Sequence, residues 1–183
     1  MTPEEIFSEL SGHMIKGLMI HDQMADYYDF LSLRGYKRCH EYHYKKEMRG
    51  YRALHRYFIN HYNRLIEEQR VEDPEAIPAS WLRYTRQEVD TSTKRSAVKT
   101  GIEKWVAWEK ETKALYQKAF RDLTEAKEEA AALFIQKYIE DVDCELKWAE
   151  RKALELEAVD YSLAFIISEQ KRLHDKYKRK ASW

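Results

Sequence analysis

Apolar side chains recur at alternating steps of three and four through four long stretches of this chain, and residues with that spacing return to one face of an α-helix. The first line runs Leu10, Met14, Leu18, His21, Ala25, Tyr28 and Leu31. The second runs Cys39, His43, Glu47, Gly50, Leu54 and Phe58, and the third carries Trp105, Trp108, Glu109, Thr112, Leu115, Tyr116 and Ala119. A fourth places Leu133, Phe134, Tyr138, Asp141, Val142, Glu145, Trp148, Ala149 and Lys152 on one face. No stretch alternates with the period of two that a half-buried strand requires. Only five glycines and three prolines interrupt 183 residues, and two of the prolines, Pro74 and Pro78, lie together. The chain is therefore all-α, with its breakers gathered in one connection.

Local signals place the ends. Thr2-Pro3-Glu4-Glu5 supplies an N-cap hydroxyl, a proline in the first turn and acids against the positive end of the helix dipole. Helix one stops at Leu33-Arg34-Gly35, where Gly35 is expected to adopt the left-handed conformation of a tight turn. Helix two then runs from about Tyr36 to Glu68. Between Val71 and Thr100 the periodicity fails, which reads as a long crossover containing a short helix around Trp81 to Glu88. Such a crossover lets helix three run parallel to helix two. Helix three is expected to end near Thr124, which would cap helix four, and a shorter fifth helix covers Tyr161 to Tyr177. The length suits one domain over residues 1–183, with a bundle at about 2–157 and a C-terminal helix at about 160–179.

Charge excludes several classes of function. The 32 basic and 32 acidic residues cancel, so no global field favours nucleic acid or a membrane surface. No segment approaches the ~20 apolar residues of a membrane span, and the acidic N-terminus lacks the features of a secretion signal. Cys39 and Cys144 lie far apart, as in a reduced cytoplasmic protein. The basic run Lys171-Arg172 and Lys176 to Lys180 reads as a solvated helix end rather than a nucleic-acid contact.

His21, Glu47, Glu109 and Glu145 each fall on the apolar face of a different helix, among Trp, Tyr, Leu and Met. Burying an unpaired carboxylate costs several kcal/mol, so three of them directed into one interior require protons, hydrogen bonds or a metal ion.

This organisation resembles that of the ferritin-like proteins, most closely the bacterial non-haem ferritins. The local match is the run Phe134-Ile135-Gln136-Lys137-Tyr138-Ile139-Glu140-Asp141-Val142-Asp143-Cys144-Glu145, similar to the family's aromatic-rich fourth helix. In the same register Glu109 falls at a metal-binding glutamate, and Lys46-Glu47-Met48-Arg49-Gly50 resembles the E-E-x-x-H motif, with Glu47 at the bridging glutamate. The chain departs from the pattern at Lys46 for a glutamate, Gly50 for the histidine ligand, Val142 for a glutamine and His21 for the glutamate of helix one.

The resemblance implies a four-helix bundle with a fifth helix, assembled as a homo-oligomer. It also implies iron, di-iron or mononuclear, at His21, Glu47, Glu109 and Glu145 with Asp141 as accessory ligand, and oxidation of Fe(II) with storage or handling of iron. Glu47, Glu109 and Tyr28 would act in that ferroxidase chemistry, Tyr28 by orienting Glu109 or passing an electron. Two blander readings accompany it. The acids pair with His21 and His43 as the remnant of a lost site, in a structural or assembly protein, and His40, His43, His55 and His61 lie mostly at the surface or an interface. A zinc site of Cys39, Cys144 and His43 has no close ligand pair to support it.

Overall fold

A computed structural model describes residues 1–67, 70–74 and 85–178. Five α-helices, α1 (Pro3–Phe30), α2 (Arg34–Tyr62), α3 (Thr91–Glu125), α4 (Glu129–Glu157) and α5 (Leu163–Tyr177), follow one another, with a short 3-10 turn at Arg86–Glu88 before α3. No strand occurs among the described residues. The cap at the start of α1 is complete: the backbone N–H of Glu5 donates to the Thr2 hydroxyl and that of Thr2 donates back to the Glu5 carboxylate. Asp90 caps α3 by accepting from the Thr93 N–H at 2.7 Å.

The helices are threaded by two apolar clusters at opposite ends of the bundle. One joins the start of α1 (Ile6, Phe7) to the ends of α2 (Leu54, Phe58) and α3 (Ala119, Leu123) and to the start of α4 (Ala131, Ile135). The other joins the later part of α1 (Met24, Tyr28) to the starts of α2 (Tyr36, Cys39) and α3 (Ala97, Val98), the end of α4 (Ala149, Leu156) and α5 (Ile166, Leu173). These memberships make α1 antiparallel to α2 and α3 antiparallel to α4, with α3 parallel to α2, the arrangement a long crossover permits. Ser8 of α1 holds the beginning of that crossover by donating to the Glu67 carbonyl.

Several boundaries differ from the sequence expectation. The turn between α1 and α2 takes its left-handed residue from Ser32, φ 60°, while Gly35 already lies in the first turn of α2. Its lack of a side chain serves a close approach: a Cβ there would stand 1.7 Å from the Gln170 carbonyl oxygen of α5. α2 stops at Tyr62, where Asn63 adopts φ 53°, rather than continuing to Glu68. Thr124 does not cap α4, because α3 continues through Glu125 and the hydroxyl bonds back to the Phe120 carbonyl at 2.7 Å. Leu133, expected on the inner face of α4, is 66 % exposed. Of the short helix expected at Trp81 to Glu88, only the turn at Arg86–Glu88 is seen, and Trp81 to Tyr84 lie outside the described residues.

Candidate metal centre

Between the two apolar clusters lies a belt of polar side chains. Each of the first four helices contributes to it at the point where its inward face crosses the middle of the bundle. His21 comes from α1, His40, His43, Lys46 and Glu47 from α2, Trp105 and Glu109 from α3, and Glu145 from α4.

Glu145 is the most strongly compensated acid. The Lys46 ammonium lies 2.5 Å from its Oε1, and His43 Nδ1 stands 3.6 Å from the same oxygen. Burial favours the protonated form of Glu145, but these two partners outweigh it and hold the carboxyl well below its usual value. Burial likewise opposes a charge on His43, and the Cys39 thiol and Glu145 beside it reverse that, lifting the imidazole well above its ordinary pKa.

The other two acids lack such partners. Burial pushes Glu47 up to about 8, with Glu145 and Glu109 adding to the shift, and no hydrogen bond or ion pair holds its carboxyl among the described residues. Glu109 is 2 % exposed and raised to about 7, first by burial and then by Glu145, although its Oε1 accepts from the Trp105 indole at 2.7 Å.

A cavity of about 360 Å³ leads from solvent to all three acids, passing Lys46, Arg49, Gly50, Tyr138 and Asp141. Gly50 lies on its wall, and Tyr138 fills the neighbouring space by donating to the Gly50 carbonyl at 3.0 Å. A Cβ at position 50 would stand 3.3 Å from the Tyr138 ring.

The remaining expected residues occupy different surroundings. His21 is fully buried, and its ring contacts His40 and His43 rather than the cavity, with a 3.0 Å hydrogen bond between the Nδ1 atoms of His21 and His40. Burial lowers both of these imidazoles, His21 to about 3, so the pair is neutral. Asp141 has a side chain 68 % exposed at the mouth, 3.8 Å from Lys46. Tyr28 is buried, stacked on His40 and Tyr36, and Gly101 leaves room for its hydroxyl.

His40 and His43 are not surface residues as expected, being 2 % and 5 % exposed. The signal for them was present in the steps of three and four that connect Tyr36, His40, His43 and Glu47. Cys39 is buried and Cys144 exposed.

Among the described residues, no three His, Cys, Asp or Glu side chains stand close enough together to hold a metal ion as they are placed. Glu145 is engaged by Lys46 and His43 and would have to leave Lys46 to join a metal ion, whereas Glu47 and Glu109 have no basic partner among the described residues. A single divalent ion suits the chemistry of the remainder. Glu47 is unpaired, and Glu109 has an oxygen without a hydrogen-bond partner among the described residues.

No protein-family model matches the chain, and no curated protein matches its sequence. Solved structures do match its shape. An open-pore ferritin from the hyperthermophilic archaeon Archaeoglobus fulgidus and an engineered closed form of that ferritin each superpose with a TM-score of 0.77 at 15 % identity, covering 93 % of this chain and 93 % of theirs. A humanized archaeal ferritin gives the same TM-score and identity over 93 % of this chain and 94 % of its own. Nearly complete coverage in both directions, with the same helical order and a short fifth helix, identifies the architecture: this chain has the ferritin-like fold.

Proposed function

We propose that this chain handles iron as a ferritin-like protein, binding one Fe(II) as substrate at Glu47, Glu109 and Glu145 and oxidising it with dioxygen, with Asp141 at the mouth and His21 behind the site. The observation that carries the reading is a cavity ending on three carboxyls from three helices, only one of which has basic partners. With Glu47 and Glu109 protonated, exchange of their two protons for one divalent ion leaves the net charge of the interior unchanged. Their raised pKa values put that exchange in the neutral range. The carboxyl groups must turn toward one another to share the ion, and the cavity provides space for the movement.

The same reading includes a single domain, self-assembly through the bundle's outer faces and residence in the cytoplasm. No described helix is long and apolar enough to cross a membrane.

Anaerobic addition of Fe(II), followed by oxygen, tests it. About one iron per chain and oxidation faster than buffer are expected, and Glu47→Ala should abolish both. Iron content and oxidation equal to the buffer control would eliminate the proposal.

A second reading, a structural or assembly protein whose metal site is lost, is favoured by one specific contact. Lys46 places a cation against Glu145 without any metal. In that case the protein binds no iron even after Lys46→Gln opens the site.

A further inference from the structure

The cavity offers more surface than a bare ion can use. Its walls include Ala53, Tyr116, Phe134, Tyr138 and Val142, contributed by three helices. Its volume of about 360 Å³ falls within the range, roughly 300–1,000 Å³, of sites for small organic molecules.

The two ends of this apolar channel differ in chemistry, with carboxyls that can give up a proton to an incoming ammonium at one end and cations at the other. At the inner end Glu47 has no hydrogen bond or ion pair, and Glu109, 2 % exposed, keeps Oε2 without a hydrogen-bond partner among the described residues. At the mouth, Arg49 of α2 and Lys137 of α4 are exposed and have no ion pair among the described residues. Some cations of the same helices find acids, Lys37 with Asp29 and Lys147 with Asp143, while Arg52 and Arg56 of α2, like Arg49, are exposed without an ion pair among the described residues. Asp141 shares the rim but lies toward Lys46, at 3.8 Å. An alkylammonium already reaches this interior: the Lys46 stem crosses the gap and sets its ammonium against Glu145.

We propose that the cavity binds an elongated amphiphilic zwitterion, with a primary amine between Glu47 and Glu109, an alkyl or aryl body along Phe134, Tyr138 and Val142, and a carboxylate at Arg49 and Lys137. The amine supplies three donors to acceptors that lack them, and the apolar body takes the wall out of water. Arg49 and Lys137 then discriminate against a simple alkylamine. The inference shares Glu47 and Glu109 with the iron reading but rests on the apolar walls and on Arg49 and Lys137, which that reading does not use.

Titration calorimetry on the metal-free, full-length protein tests it with 4-aminobutyrate, 6-aminohexanoate, 8-aminooctanoate, octylamine and octanoate. Affinity should rise about threefold for each added methylene along the amino-acid series. 8-Aminooctanoate should bind about tenfold more tightly than octylamine, and octanoate more weakly than either. Arg49→Gln/Lys137→Gln should reduce 8-aminooctanoate to the affinity of octylamine and leave octylamine unchanged. Glu47→Gln should weaken both amines at least tenfold. Because Arg49 and Lys137 are exposed and unpaired, their variant keeps the wild-type melting temperature. Octanoate binding as well as 8-aminooctanoate, an unchanged affinity in the Arg49/Lys137 variant, or no binding of any amine at millimolar concentration would each overturn the proposal. Any of these results leaves iron binding to be judged by its own measurement.

Discussion

Lys46 crosses from α2 to α4 and places its ammonium 2.5 Å from Oε1 of Glu145. The pair is only partly shielded, since the Lys46 side chain is 35 % exposed, so solvent discounts its strength. Lys46→Gln should lower stability by only about 1 kcal/mol in urea titrations. The same variant should bind Fe(II) at least tenfold more tightly than wild type, because the ion no longer competes with an ammonium for the Glu145 carboxylate. Equal affinities in the two proteins would show that Lys46 does not compete for the site.

Glu47 makes the fold sensitive to alkali. Its carboxyl is raised from 4.5 to about 8, so the protonated form is the one the native interior favours. The associated stability is fully present below pH 4.5 and is lost as pH rises through 8. Glu47→Gln, which has no proton to lose, should therefore gain on the order of 2 kcal/mol relative to wild type between pH 5 and pH 9. Parallel denaturant curves across that range provide the check.

His21 and His40 impose the opposite dependence. Both imidazoles are lowered by burial, so stability is present above the unfolded value of 6.5 and is lost as pH falls below it, for His21 toward about 3. Their hydrogen bond also predicts non-additive mutations. His21→Leu or His40→Leu alone strands one buried nitrogen and should cost about 2 kcal/mol, while the double variant should cost clearly less than the sum. A double-mutant cycle in urea measures the difference.

Placing a histidine at position 50 should fail unless Tyr138 is removed. A Cβ there meets the tyrosine ring at 3.3 Å, and that ring occupies the space beyond it. Gly50→His should thus be destabilised by about 1–3 kcal/mol through overpacking, and Gly50→His/Tyr138→Ala should recover part of that loss. If the extra imidazole completes a metal site, the double variant should also retain more iron after desalting than wild type.

Gly35→Ala tests the seat of α5. With a Cβ 1.7 Å from the Gln170 carbonyl oxygen, backbone must move, and a cost of about 3 kcal/mol with faster amide exchange in α5 is expected. Wild-type exchange rates would show that α5 tolerates the displacement.

The periodic apolar positions made the helical order readable, because a repeat of three and four leaves one face for the core whichever neighbour covers it. Glu109 and Glu145 were readable for the same reason, lying within those repeats. His40 was harder, since its neighbour Cys39 claims the same face of α2 and the two differ by only one helical step. Asp141 illustrates the limit in the other direction. The buried line of α4 passes through Val142, Leu146 and Ala149, which turns Asp141 outward to the rim even though it shares a broad face with Glu145. The pairing of Lys46 with Glu145 could not be read from spacing, because a long side chain on the edge of one helix chooses its partner only when the next helix is in place. Gly35 shows the same dependence on a distant partner, its reason lying 135 residues away at Gln170.

α5 lays Tyr177 against Tyr42, with ring centroids 5.1 Å apart, and brings it within 6.4 Å of His43. Chains are synthesised from the N-terminus, so α1 to α4 emerge before this covering helix exists. Until α5 arrives, the side of Cys39 and His43 that Tyr177 covers lies open to water. The covering of His43 is thus a late event in the life of each molecule. A bundle can assemble first around hydrated, exchangeable side chains and acquire its sealed interior only when the fifth helix closes over them.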